Sequence, residues 1–173
     1  WSPLLDRYVL PLLGRRRGWM LLTQLGLLAV IASMGAFSPQ SDLHTIAYIA
    51  TLLAFLSATQ DIVLDAYRRE LLEENELGLG NAVHVNAYRI AGLVPGSLSL
   101  ILADFMPWSI VFIITALFML PGMVMTLMVK EPLNINPPKS LRDAVVEPFH
   151  EFITRHGWKS ALLILTFLFF YKL

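Results

Sequence analysis

The sequence predicts an all-α membrane protein, a bundle of transmembrane helices, and three observations carry that prediction. Of its 173 residues, 56% are hydrophobic and only 15% are charged, against roughly 25% charged residues in a soluble globular domain. The mean hydropathy is +0.62. Apolar runs of about 20 residues, the length a helix needs to cross a bilayer, recur between clusters of helix breakers.

Four complete runs are legible, at approximately 19–37, 44–67, 82–103 and 108–129. Short connections with Pro39 and Pro107 close the first and third, and the Glu- and Gly-rich stretch 73–80 separates the second from the third. A fifth run starts at Trp158 and would reach about 24 Å by Leu173, short of a hydrocarbon core of about 30 Å. The chain also opens at Trp1, in what reads as a loop without an initiator Met. We therefore expect an internal piece of a longer protein. Residues 1–129 would belong to one helical half, 130–157 to a linker, and 158–173 to the first helix of a second half.

Composition removes several function classes. Thirteen Lys and Arg balance thirteen Asp and Glu, so the net charge gives no sign of a nucleic-acid partner. There is no cysteine, which excludes disulfides and thiolate chemistry. No two of His44, His84, His150 and His156 share a metal-ligand spacing. Neither a metal nor a cofactor is expected.

Basic residues alternate along the connections. Arg7, Arg15, Arg16 and Arg17 precede the first span, Arg68 and Arg69 follow the second, and Lys130, Lys139, Arg142, Arg155 and Lys159 follow the fourth. The connections 37–43 and 104–107 carry none. The positive-inside rule then puts residue 1 in the cytoplasm. Beside a span, the Arg15–Arg17 run reads as a topology anchor rather than a nucleic-acid patch. In the linker, Leu141, Val145, Phe149 and Phe152 recur at helical spacing with charges on the other faces, Ser140 and Asp143 form a capping-box pattern, and Pro148 should bend the helix. This segment is too polar to span and is expected on the cytoplasmic membrane surface.

The second span carries Asp61 and Asp65, one turn apart on one face, and the third carries Arg89. A charge at bilayer depth costs roughly 2.5–3.5 kcal/mol even on the lenient insertion scale. If the two faces meet, an Asp61–Arg89 pair removes much of that cost, and Arg69 is available to Asp65. These residues serve either as a structural ion pair or in substrate and proton handling. Gln60, Asn86 and Tyr88 are hydrogen-bonding candidates nearby, or helix-packing groups. Ala54 and Ala58 on one span, and Gly92, Gly96 and Ser99 on the other, form small-residue stripes that favour close approach. Pro95 should interrupt the third span. The first and fourth spans carry no charge and read as lipid-facing scaffold.

The first loop, Asp6-Arg-Tyr-Val-Leu-Pro-Leu-Leu-Gly14-Arg-Arg-Arg17, resembles the loop between helices two and three of the major facilitator superfamily. Six residues separate Arg7 from Gly14 here, instead of the usual one. The longer form is similar to the AmpG muropeptide permeases, as are Ser57–Tyr67, Tyr88–Gly92, Ser140–Phe149 and Tyr171–Leu173. The resemblance implies part of a major facilitator superfamily helical bundle, helices three to seven of twelve, with helices four and five lining the central cavity. It implies proton-driven import of anhydro-muropeptides, sugar–peptide fragments of peptidoglycan, across the bacterial inner membrane. Asp61, Asp65 and Arg89 become candidates for proton coupling and substrate anchoring, with Lys172 on helix seven. Asp6, Arg7, Gly14, Arg15 and Arg16 fall in the conformational-switch loop. The expected partners are the substrate, protons and the lipid bilayer, with the complete protein a monomer.

Other readings stay open. Related facilitators carry other solutes, acetyl-CoA among them, and a non-transporting sensor can use the same scaffold. An intramembrane prenyltransferase-type enzyme would use the Asp61-x-x-x-Asp65 pair to hold Mg²⁺ and a diphosphate. That chemistry needs a second acidic cluster, and Asp104 stands alone.

Overall fold

The computed structural model describes residues 1–10, 13–132 and 141–172. These divide into two compact units, Val9–Leu133 and a smaller one formed by Trp1–Tyr8 with Asn134–Leu173. The described residues are helical apart from turns, connections and one isolated bridge between Leu10 and Gly14.

In the smaller unit, α1 (Ser2–Arg7) is a short helix where the sequence read as loop. Pro3 supplies the helical φ in its first turn, where a missing N–H costs nothing. α1 packs against the linker helix α8 (Leu141–His156) and buries Leu5. Gly157 ends α8 in the left-handed region at φ 73°, donating its N–H to Ile153 O at 2.8 Å, and α9 (Trp158–Lys172) follows. The expected cap at Ser140 lies outside the described residues, as does the side chain of Asp143.

The larger unit holds four helical rods long and apolar enough to cross a membrane: Arg15–Met34, Leu43–Leu71, Leu77–Ala103 and Trp108–Met128. The first, α2, is the hub. It packs against α3 (Leu43–Leu71) on one side and against α6 (Trp108–Leu117) and α7 (Met119–Met128) on the other. Of its apolar window 28% is buried, against 6% for the third rod. This corrects the expectation of a mainly lipid-facing first span. Leu22 and Leu25 do face outward, but Met20, Thr23, Gln24 and Leu27 are buried. At its far end Gly35 lies against the backbone of Ser109, where a Cβ would stand 2.7 Å from the Ser109 Cα, so the chain approaches α6 without a side chain between.

The other two rods are each interrupted at a proline. The third begins as α4 (Leu77–Ala91), passes through a π-helical turn at Val94–Leu98 and continues as α5 (Ser99–Ala103). Pro95 has no N–H to offer one turn back, and the ladder widens to bypass it. The Ser99 hydroxyl donates to the Val94 carbonyl at 3.0 Å within that turn and lies 2.8 Å from the Thr115 hydroxyl on α6. In the fourth rod, the break at Phe118 falls just ahead of Pro121 for the same reason.

Candidate functional site

The end of the bundle that carries Arg15–Arg17 is a network of charges. Gly14 enters α2 with φ 89°, a conformation L side chains rarely adopt. The first-turn amides of α2 have no partners within the helix. Glu131 supplies them: its Oε1 accepts the Arg16 N–H at 2.8 Å and its Oε2 accepts the Arg17 N–H at 3.1 Å. A carboxylate there also faces the positive end of the helix dipole.

The three arginine side chains turn to neighbouring helices. Arg16 is 5% exposed and donates through Nε and Nη2 to Glu70 Oε1 on α3, at 3.0 and 2.5 Å. Arg15 reaches the same oxygen at 2.9 Å. Arg17 donates to the Thr126 and Leu127 carbonyls at 2.9 and 2.7 Å, filling acceptors that the last turn of α7 leaves open. The Tyr67 hydroxyl donates to the Lys130 carbonyl at 2.9 Å. Residues from α2, α3 and the segment after α7 are thereby clasped together.

One to two turns further into α2, a polar seam crosses the apolar interior. The Thr23 hydroxyl hydrogen-bonds the Gln60 side chain on α3. Gln24 Oε1 accepts the Thr126 hydroxyl of α7 at 3.0 Å. Thr23, Gln24 and Thr126 are all buried. Where hydrocarbon surrounds the bundle, such groups have no water to fall back on, so the seam fixes which faces meet.

That fixed rotation has a consequence for the acidic residues. Thr59, Val63 and Tyr67 are the buried stripe of α3, and Asp61 is about 200° round the helix from Thr59. Asp61 and Asp65 are exposed on the opposite face. On the next rod, Arg89 is exposed, Tyr88 is 75% exposed, and Asn86 bonds back to its own helix at Ala82 O, 2.8 Å away.

The structure does not bring Asp61 to Arg89. Among the described residues neither is in an ion pair, because α3 and the Arg89 region of α4 are not packed on each other. Asp65 pairs with Arg68, three residues on, at 2.8 Å, rather than with Arg69. The small-residue stripe on the third rod is not a close-packed seam either, since Gly96 has nothing within 4 Å. In the other unit, Asp6 and Arg7 close α1, with the Arg7 guanidinium 5.9 Å from the Tyr8 ring centre. Lys172 is the last residue of α9, and its side chain lies outside the described residues.

The family model of the Major Facilitator Superfamily matches residues 1–172. The chain belongs to this superfamily. An uncharacterized protein of Haemophilus influenzae is 55% identical over 99% of this chain and 41% of its own length. The anhydromuropeptide permease of Escherichia coli K12 is 44% identical over 100% of this chain and 35% of its own, with the same figures for that of Escherichia coli O157:H7. The chain therefore spans well under half the length of these relatives. As a facilitator it is a multi-pass membrane protein of a transporter family.

Sequence reasoning passed over Glu70, Glu131, Tyr67, Thr23, Gln24 and Thr126. A signal for the two glutamates was present. Each stands immediately beyond a span at an end otherwise marked by Arg and Lys, where an acidic residue has cations to answer. Thr23-Gln24 was likewise a polar pair inside an apolar run.

Proposed function

We propose that this chain is part of a proton-driven secondary transporter that carries anhydro-muropeptides inward across the bacterial inner membrane, with the Arg15–Arg17 end on the cytoplasmic side. The observation that carries the reading is the 44% identity, over the whole chain, to a protein named anhydromuropeptide permease. The exposed positions of Asp61 and Asp65 on α3 and of Arg89 on α4 support it, because charges at membrane depth are retained where they face a pathway or a partner.

In this reading α3 and α4 line the path. Asp61 and Asp65 are the proton-coupling carboxylates, and Arg89 and Lys172 anchor the acidic groups of the substrate. Gln60, Asn86 and Tyr88 lie along the same two helices. Gln60 meets Thr23, so its part is to hold α3 in rotation; Tyr88, beside Arg89, faces the substrate, and Asn86, about 200° further round α4, serves its own helix through Ala82. The clasp around Glu70 and Glu131 keeps α2, α3 and α7 moving as one body while one half rocks against the other. The loop from Asp6 and Arg7 to Gly14, Arg15 and Arg16 acts as the conformational switch, and the working unit is a monomer.

The test is uptake of radiolabelled anhydro-muropeptide by bacteria whose own muropeptide permease is deleted and which express the whole protein. Uptake abolished by a protonophore is expected. Its absence with well-expressed, correctly inserted protein would remove the substrate assignment and leave the superfamily membership untouched.

A further inference from the structure

Tyr88 stands near the middle of the rod Leu77–Ala103, about 16 Å along the axis from its start at 1.5 Å per residue. It is 75% exposed. Tyrosines that anchor a span gather at the membrane interfaces, and a phenol at mid-depth finds no water in lipid. Tyr67, on the preceding helix, gives the contrast: it is 6% exposed and its hydroxyl bonds the Lys130 carbonyl. The Tyr88 ring is therefore placed for something other than packing or anchoring.

The register of α3 against α4 decides what surrounds that ring. Leu64 and His84 are the innermost lining residues of the groove between the two helices, so they mark one level. One turn deeper stand Asp61, three residues before Leu64, and Tyr88, four after His84. Asp61 is rotated about 60° from Leu64, and Tyr88 about 40° from His84. Because the helices are antiparallel, both rotations turn to the same side of the pair. Asp61 and Tyr88 are both exposed, so the space beside them is open to a ligand.

An aromatic face flanked by a carboxylate and an imidazole has the chemistry of a sugar site. A pyranose presents C–H bonds on its faces, which lie against the electron-rich face of an aromatic ring. Its rim of hydroxyls donates to carboxylates and exchanges hydrogen bonds with a neutral imidazole. A peptide's terminal carboxylate would instead meet repulsion from Asp61 and Asp65. We infer that Tyr88 is the stacking platform for a pyranose ring of the substrate, on the side of α3 and α4 that carries Asp61 and His84. The inference rests on the muropeptide reading of the same two helices.

The test is titration calorimetry of the purified whole protein with anhydro-muropeptide and with its sugar portion freed of peptide. The parent should bind both. Tyr88→Leu keeps apolar bulk but removes the ring face, and should weaken both ligands by about five- to tenfold. Tyr88→Phe returns the ring and should restore affinity to within about twofold of the parent. In uptake, the loss in Tyr88→Leu should fall on KM rather than on kcat. Should Tyr88→Leu fail to fold, Tyr88→Ala, a helix-favouring change, decides in its place. A ring-less variant that binds the sugar portion like the parent would overturn the inference, because another part of the protein would then cover Tyr88. So would a parent that binds the muropeptide but not its sugar portion, or a Tyr88→Phe protein as weak as Tyr88→Leu. A parent that binds neither ligand would instead overturn the muropeptide reading, and this inference with it.

Discussion

Gly14 and Glu131 meet where α2 begins: a Cβ on Gly14 would stand 2.7 Å from the Glu131 Cδ. The left-handed turn at Gly14 and the bare Cα together admit the carboxylate to the first-turn amides. Gly14→Ala is expected to cost about 2 kcal/mol from backbone strain, and more where the cap is displaced. Glu131→Gln keeps the shape but loses the charge at the helix end, for about 1 kcal/mol. Thermal unfolding of the two variants in detergent measures both, with Gly14→Ala the less stable.

Arg16 and Arg15 share Glu70 unequally. Arg16 makes two bonds to the carboxylate from a buried position, and Arg15 makes one. Arg16→Gln removes both of those charge-assisted bonds while Arg15 stays on the carboxylate, and it is expected to cost about 3 kcal/mol. Arg15→Gln should cost about 1 kcal/mol. In the double variant Arg16→Gln/Glu70→Gln part of the loss should return, and a double-mutant cycle reads that coupling. Additive losses would show that the pair is energetically idle.

Thr126→Val leaves the Gln24 Oε1 without its donor in the bundle interior. Interhelical hydrogen bonds in membranes are worth about 0.6–2 kcal/mol, so a loss in that range is expected. Thr23→Val should lose a similar amount and also loosen the rotation of α3. Accessibility labelling of a cysteine placed at Ser57, on the exposed face of α3, should change in Thr23→Val and remain as in the parent in Thr126→Val.

Asp42 precedes α3 and accepts the Ser38 N–H at 3.0 Å and the Ser41 hydroxyl at 2.8 Å. The Ser38 amide, then the Ser41 hydroxyl, hold its carboxyl below its ordinary value of 3.8. A depressed folded-state value stabilises the turn fully above that ordinary value, and the contribution is lost as pH falls through the lower one. Exchange protection of the Ser38 amide should therefore fall in acid only below about pH 4. In Asp42→Asn it should not depend on pH there.

How much was legible in the sequence follows from what each feature requires. Spans announce themselves because crossing a bilayer takes about 20 apolar residues in a row. Their ends were less legible. α2 begins at Arg15 rather than near residue 19, because Glu70 and Glu131 let three arginines enter the first turn. Those partners lie 54 and 115 residues away in the chain, where no local periodicity points. The hub position of α2 was missed because Thr23 and Gln24 carry no charge, and charge was the signal followed. The π turn at Pro95 was foreshadowed, since a missing N–H in a helix must be accommodated. Facing Asp61 with Arg89 required α3 and α4 to pack side by side, which antiparallel succession alone does not dictate.

The central claim is coupling of muropeptide movement to protons through the exposed face of α3. The most direct measurement reconstitutes the whole protein in liposomes, imposes a pH gradient and follows labelled anhydro-muropeptide inside. The account predicts accumulation above the external concentration, collapse on adding a protonophore, and an Asp61→Asn protein that equilibrates the substrate without concentrating it. Asp61→Asn protein that concentrates substrate as well as the parent would contradict the role of Asp61. Parent protein that only equilibrates the substrate, whatever the gradient, would contradict the proton-driven mechanism itself.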